Sequence, residues 1–491
     1  MRIILNNKIL SITTLNVIHF CIISFFLFYV TRDLNYNSSF VDEAIYATVG
    51  EEVLRDVYWE KAISWMGGSY LYPLMSAYAN RYYGLTGVRL MSSLLILLTG
   101  IISGKIAYQF AGYKTEVLTL FLFFSTSITL DIAQLGTYDT PAIAFLAVSM
   151  YAAMHSRYHS STKSWVLVVF SSFFFTLATF AKYITIIFIP SILLMISLYP
   201  KHLKLKKSLI WLTISIIPLG FFVYQNSNDL TSLFITNPFT ETRSRPYILS
   251  KILNDLALHI PLALSGIILA LLKQRKEKKN LLLVLFLAGL TPLLFHLATA
   301  NARSLWKHLV FTLAFWTPIG SFVLLKLNQA VMSKTNNNPV LVNSLQLIRT
   351  IVVVTLITSV WVNFSKHWRF QRSWPSATNI IEYLKNNRKT GDVIFAEAST
   401  VYKYHLYDGF EDPGAWPSTW YFNYEGTTGV EAMKKAIRNK EFKYIILNDF
   451  FTPDINKEIL PAIEEHYSLL LTDTFKVSGV FDQTTRLWTP K

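Results

Sequence analysis

Eleven apolar runs, near 9–30, 85–109, 115–130, 138–154, 164–181, 183–199, 209–225, 252–272, 280–298, 308–326 and 343–363, punctuate this 491-residue chain. An α-helix rises 1.5 Å per residue, so about 20 apolar residues cross the roughly 30 Å of bilayer hydrocarbon. The runs at 115–130 and 183–199 are marginally short for this. Only 15% of the residues are charged, against roughly 25% in soluble domains. The pattern predicts a mainly α, polytopic transmembrane helical bundle of about 11 spans.

The formal net charge of +15 would suggest nucleic acid in a soluble protein. Its placement argues against that partner. Lys201, Lys204, Lys206 and Lys207 fill one short loop, and Lys273, Arg275, Lys276, Lys278 and Lys279 fill another. Basic loops stay cytoplasmic and so set orientation in the bilayer. With a cytoplasmic N-terminus, the basic loops at 155–163, 200–208 and 273–279 all fall inside. Segments 31–84, 131–137, 226–251 and 299–307, the turn near Lys182 and everything after Phe364 fall outside. The first run, preceded by Arg2 and Lys8, has the outline of a signal peptide. Its length of about 22 residues and the spans that follow favour an uncleaved first helix. Cys21 is the single cysteine, so no internal disulfide and no Cys/His metal cluster is available.

From about 366 the texture changes. Amphipathic stretches (SATNIIEYLKNNRK, GVEAMKKAIRNK) alternate with β-rich runs (DVIFAE, KYIILN), which predicts a small α/β domain. The chain thus divides into a transmembrane domain at 1–365, including the outer loop 31–84, and an extracytoplasmic domain at 366–491. The stretch Tyr402–Tyr424 is rich in Tyr, Trp, Gly and Pro and reads as an irregular loop.

Three sets of residues stand out chemically. Asp42 and Glu43 lie just beyond the first span, leading into AIYATVGEEVLRDVYW. A carboxylate there can accept a proton from a hydroxyl, although, taken alone, helix capping by Asp42 and a favourable interaction of Glu43 with the helix N-terminus are the stronger account of the pair. Asp139, in AQLGTYDTP, sits at the outer end of the fourth span. Ionisable groups at membrane depth mark function, and capping ahead of Pro141 is the alternative. The third set is cationic: Lys182 in TFAKY, then Arg303, Lys307 and His308 in NARSLWKH, with Arg243 and Arg245 carrying less weight. Outer-face cations run against the positive-inside trend, so an anion such as phosphate is expected to compensate them. Snorkelling to lipid headgroups is the competing account.

In order, these features resemble the GT-C class of integral-membrane glycosyltransferases, in particular the branch of protein O-mannosyltransferases and lipid A aminoarabinose transferases. The carriers are DEAIYA at 42–47, GxYLYPL at 68–74, GVRLMSSLLILLTG at 87–100, YDTP at 138–141, the FAKY lysine and the RSLWKH loop. The resemblance implies transfer of a sugar from a polyprenyl-phosphate carrier to an acceptor hydroxyl on the outer face, with inversion, in a bacterial plasma membrane. Asp42 would be the general base with Glu43 beside it, and Asp139 would orient the acceptor or support the base. Lys182, Arg303 and Lys307 would neutralise the departing phosphate. The acceptor would be a lipid, a glycan or a protein. GT-C enzymes can take a divalent cation, but no cofactor is demanded here. The chain departs from the class in having Tyr70-Leu71-Tyr72-Pro73-Leu74 where many relatives carry Lys-Pro-Pro, and Gln134 and Tyr138 where arginines often flank the second acid.

A transporter or flippase for a lipid-linked precursor is the alternative, and it predicts ionisable residues at the bilayer midplane. The candidates instead gather at the ends of spans. An inactive scaffold would leave Asp42 and Asp139 replaceable without effect.

Overall fold

The structure, a computed structural model, describes residues 2–55, 69–157, 162–198, 201–228, 230–231, 242–333, 339–407, 413–420, 422–478 and 482–491. Gly68 of the GxYLYPL stretch, the end of AIYATVGEEVLRDVYW and part of the Tyr402–Tyr424 loop lie outside the described residues. The chain forms two compact units. The described part of the first comprises residues up to 34, 69–72 and 89–365. That of the second comprises 35–55, 73–88 and the residues from 366 onward.

The helices, in chain order, are α1 (Arg2–Thr31), α2 (Val41–Leu54), α3 (Leu71–Ala111), α4 (Tyr113–Phe124), α5 (Ser127–Ala133), α6 (Asp139–Ser156) and α7 (Thr162–Ala181). A 3₁₀ turn (Tyr183–Phe188) leads into α8 (Ile189–Ser197), followed by α9 (Lys201–Gln225), α10 (Arg245–Asp255) and α11 (His259–Lys273). The series continues through α12 (Lys276–Thr299), α13 (Leu305–Ser333) and α14 (Pro339–Phe370). Among the described residues, 7 helices are long and apolar enough to cross a membrane, or up to 9 if each of two bent pairs is one span.

Three of the predicted spans are not simple helices. The run at 115–130 breaks into α4 and α5 with a 72° bend. The Thr126 hydroxyl donates to Phe123 C=O at 3.1 Å and Ser125 Oγ to Leu122 C=O at 3.4 Å, so side chains occupy carbonyls at the break. The run at 252–272 is divided between α10 and α11, which meet at 82°. Pro261 lies in the first turn of α11, where its missing N–H is tolerated; in a continuous helix it would interrupt the ladder. The run at 183–199 starts as 3₁₀, whose rise of about 2.0 Å per residue gives Tyr183–Ser197 a reach of about 25 Å despite its shortness.

Helix association in a bilayer relies on close packing and interhelical hydrogen bonds. Ser172 and Ser215 hydroxyls meet at 2.6 Å, Thr119 and Ser321 at 2.7 Å, and Thr312 Oγ1 donates to Gly289 C=O at 2.8 Å. A Cβ on Gly289 would come within 2.3 Å of the Trp316 ring, so glycine is what lets α12 and α13 approach.

In the second unit, the remaining elements are α15 (Thr378–Asn387), β1 (Ile394–Ala396), α16 (Ser399–Leu406), β2 (Asn423–Tyr424), β3 (Thr427–Thr428), α17 (Gly429–Arg438), β4 (Tyr444–Leu447), α18 (Pro453–His466), β5 (Tyr467–Lys476) and β6 (Asp482–Pro490). The main sheet has the order β1-β4-β6-β5, with β1 and β4 parallel and the other pairs antiparallel. Side chains alternate across a strand. Ile394, Ala396, Tyr444, Ile446 and Leu487 pack on one face with α15 and α16, while Phe395, Ile445, Leu447 and Trp488 pack on the other with α17 and α18. Burial of both faces explains why the two runs read from the sequence are continuously apolar.

The first of these cores also contains Val41 and Ala44 of α2. Lys403 Nζ meets Glu52 Oε1 at 2.5 Å, and Trp374 Nε1 donates to Ser38 C=O at 3.2 Å. Residues 35–55, which the sequence assigns to the loop of a membrane domain ending at 365, are therefore built into the compact unit formed by the C-terminal residues.

That unit also holds a carboxylate that sequence reasoning passed over. Glu397 is 1% exposed and accepts the backbone N–H groups of Asn448 (2.9 Å), Phe451 (2.6 Å) and Thr452 (2.5 Å) and the Asn456 amide (3.1 Å). Glu397→Ala strands these donors in the interior, each at about 1–3 kcal/mol. The expected result is a loss of at least about 3 kcal/mol and faster hydrogen exchange at the Phe451 and Thr452 amides. Unchanged protection of those amides would contradict the assignment.

Candidate active site

In the first unit, the site is built from the turn between α5 and α6. Gln134 Nε2 donates to Val30 C=O at 2.8 Å, Ser93 Oγ to Ala133 C=O at 2.7 Å, and Thr140 Oγ1 to Ser92 Oγ at 3.3 Å. These bonds fix residues 133–140 to the end of α1 and to α3. Asp139 opens α6 and is 0% exposed. Its Oδ2 accepts the Thr137 hydroxyl at 2.9 Å and its Oδ1 accepts Lys182 Nζ at 2.5 Å.

Lys182 sits between α7 and the 3₁₀ turn, in extended conformation (φ −156°, ψ 113°). It is 4% exposed, and its ammonium lies 4.4 Å from the centre of the Tyr138 ring. Dehydrating either ion alone would cost several kcal/mol, and the pair, the hydroxyl and the ring replace the lost water. The structure thus joins two residues to which the sequence gives separate roles, an acid on the acceptor side and a phosphate-binding cation.

The cationic loop follows α12. Ala300 (φ 52°) and Ser304 (φ 57°) are left-handed without being glycine, a conformation held by surrounding bonds. Arg243 N–H donates to Ala300 C=O at 2.9 Å and Arg245 Nε to Leu297 C=O at 3.1 Å. Arg243, Arg245 and Arg303 are exposed, whereas Lys307, in the first turn of α13, is 4% exposed. Helix α13 packs against α6, and α12 packs against the 3₁₀ turn that follows Lys182.

His296 was not singled out in the sequence, although a histidine near the end of an apolar helix is itself a signal. Its Nδ1 lies 2.6 Å from Asn301 C=O and its Nε2 2.7 Å from His308 Nδ1. A carbonyl only accepts, so neutral His296 carries its proton on Nδ1, and its Nε2 accepts a hydrogen bond from the Nδ1–H of His308. Nε2 of His308 is then an acceptor, buried and without a hydrogen-bond partner among the described residues.

Asp42 and Glu43 belong to the second unit. The N-cap of α2 is Phe40, which places Asp42 at the second helical position. Glu43 is 0% exposed, and its Oε2 accepts Phe40 N–H at 2.9 Å, so Glu43 is the residue that caps the helix. Asp42 is half-buried. Among the described residues no three His, Cys, Asp or Glu side chains gather as a metal site would need, and Asp139 faces an ammonium.

No protein-family model matches the chain, and no curated protein matches it in sequence. Its fold does match solved structures. ArnT from Cupriavidus metallidurans superposes in the apo state with a TM-score of 0.63 at 12% identity, covering 97% of this chain and 98% of that one. The same protein bound to undecaprenyl phosphate gives 0.62 at 12% identity, with the same coverage. The oligosaccharyltransferase AglB from Archaeoglobus fulgidus, in complex with an inhibitory peptide and a dolichol-phosphate, gives 0.54 at 10% identity, covering 95% of this chain and 74% of AglB. The chain shares its fold with these proteins. The helical bundle and the small sheet formed by C-terminal residues agree with the fold class the sequence predicts, with 7 helices, or up to 9 if each bent pair is one span, long and apolar enough to cross a membrane among the described residues where about 11 spans are expected.

Proposed function

We propose that this protein is an integral-membrane glycosyltransferase that moves a sugar from a polyprenyl-phosphate carrier to an acceptor hydroxyl. The observation that carries the reading is the end-to-end GT-C fold, one of whose solved examples holds undecaprenyl phosphate. The buried Asp139–Lys182 pair and the cationic loop of Arg303 and Lys307 support it.

In the proposed reaction the acceptor oxygen attacks the anomeric carbon, the bond from that carbon to the phosphate oxygen breaks, and Asp42 takes the acceptor proton. Inversion follows from the single displacement. Polyprenyl phosphate leaves as an anion and needs no acid. Charge develops on its oxygens, where Lys182, Arg303 and Lys307 supply electrostatic stabilisation. Asp139 is assigned as the anchor of Lys182, a role its contacts favour over orienting the acceptor. The acceptor class, lipid, glycan or protein, is left to experiment, and no step runs through a metal.

The purified protein should bind undecaprenyl phosphate. Arg303→Gln and Lys307→Met should each weaken that binding about tenfold or more, the scale of a lost hydrogen bond to a charged group. Binding unaffected by both substitutions would remove the phosphate-site assignment.

A further inference from the structure

A cavity lies elsewhere in the first unit, away from Lys182 and Lys307. It has a volume of 340 Å³ and forms where α3 ends, α12 begins and α13 completes its last turns. Its wall includes Lys278 and Lys326 with the carboxamides of Gln109, Gln274 and Gln329, over Phe322. Lys278 Nζ donates to Phe110 C=O at 2.9 Å and Lys326 Nζ to Gln329 Oε1 at 3.0 Å. Each ammonium has three N–H donors and spends one on a neutral acceptor. Neither has a carboxylate partner among the described residues. Two cations thus line one hollow with donors to spare and no carboxylate bonded to either among the described residues.

The position excludes the polyprenyl donor of the proposed reaction. Lys326 lies 19 positions beyond Lys307 along α13, a rise of about 29 Å, or about one hydrocarbon thickness. The cavity therefore sits at the other end of this helix from Lys307, beside the basic segment Arg275–Lys279. Lysines at a helix end commonly snorkel to headgroups one by one. Here two of them, from different helices, converge on a shared hollow with three amides. Basic pockets between the ends of membrane helices are receptors for phosphorylated headgroups.

We propose that this cavity holds the phosphate of an anionic lipid headgroup, with Lys278 and Lys326 taking its oxygens and the glutamine amides its ester and hydroxyl groups. The lipid belongs to the bilayer face opposite Lys307, and the assignment does not depend on the transferase reading.

The test is native mass spectrometry of the full-length protein in a neutral detergent, titrated with phosphatidylglycerol. Lys278→Gln with Lys326→Gln should weaken the first bound lipid about 25-fold, at about fivefold per lysine. The pair Lys276→Gln with Lys279→Gln removes the same charge outside the cavity and should weaken it less than threefold. Equal losses in the two pairs would reduce the effect to diffuse charge and overturn the proposal. So would displacement of the lipid by millimolar inorganic phosphate at constant ionic strength, which would assign the cavity to a soluble phosphate. Thermal unfolding of both double variants confirms that each is folded when the comparison is made.

Discussion

Asparagine at position 42 is expected to slow sugar transfer by a factor of about 10² to 10⁴, the contribution of a general base, while binding of the lipid carrier stays within about threefold, well inside the tenfold that 1.4 kcal/mol represents. The expectation depends on the division of labour at the start of α2. Capping falls to Glu43, whose carboxylate holds Phe40 N–H, so Asp42→Asn leaves that bond and the Val41 and Ala44 packing in place. Glu43→Gln should show the converse: a stability loss of about 1 kcal/mol, the usual scale of a weakened cap, with a much smaller effect on turnover. Single-turnover kinetics separate these outcomes. If Asp42→Asn retained wild-type turnover, Asp42 would not be the base.

The second large effect is expected at Lys182. Methionine there leaves Asp139 fully buried with the Thr137 hydroxyl but without its cation, and breaking a buried pair from one side costs about 3–5 kcal/mol. Adding Asp139→Asn removes the stranded charge and should restore most of that stability, because a neutral amide can still bond to Thr137. Activity should not return, since the ammonium proposed to face the leaving phosphate remains absent. Unfolding in detergent, followed for the wild type, both single variants and the double variant, gives the coupling directly. A Lys182→Met protein as stable as the wild type would show that the pair is not buried together.

Much of the fold was legible because a bilayer imposes a length and a polarity on every span. Those rules are blind to what happens inside an apolar run. Ser125 and Thr126 are apolar enough in context to continue a span, yet their hydroxyls occupy backbone carbonyls and turn the chain by 72°. The strands β1 and β4 were readable as apolar runs. The long β5–β6 pair was not, because β5 is largely exposed, alternating with only partly buried residues, and an irregularity at Leu469/Leu471 shifts its register.

The candidate site was legible as residue types and not as pairings. Asp139 and Lys182 are 43 residues apart, and no periodicity links them. Nor does spacing reveal that Glu43 would be consumed as a cap, or that His296 would meet His308 across two helices at 2.7 Å. The membership of 35–55 in the second unit depends on Val41 and Ala44 meeting the sheet-facing side chains of α15 and α16, a contact between segments more than 300 residues apart.

The most direct test of the central claim places the purified protein in liposomes with a polyprenyl-phosphate sugar and follows, in one sample, the release of polyprenyl phosphate and the movement of the sugar lipid between leaflets. The account predicts that polyprenyl phosphate accumulates in proportion to glycosylated acceptor and that Asp42→Asn abolishes both. Sugar lipid crossing the bilayer intact, with no polyprenyl phosphate released and no effect of Asp42→Asn, would identify a transporter and contradict it.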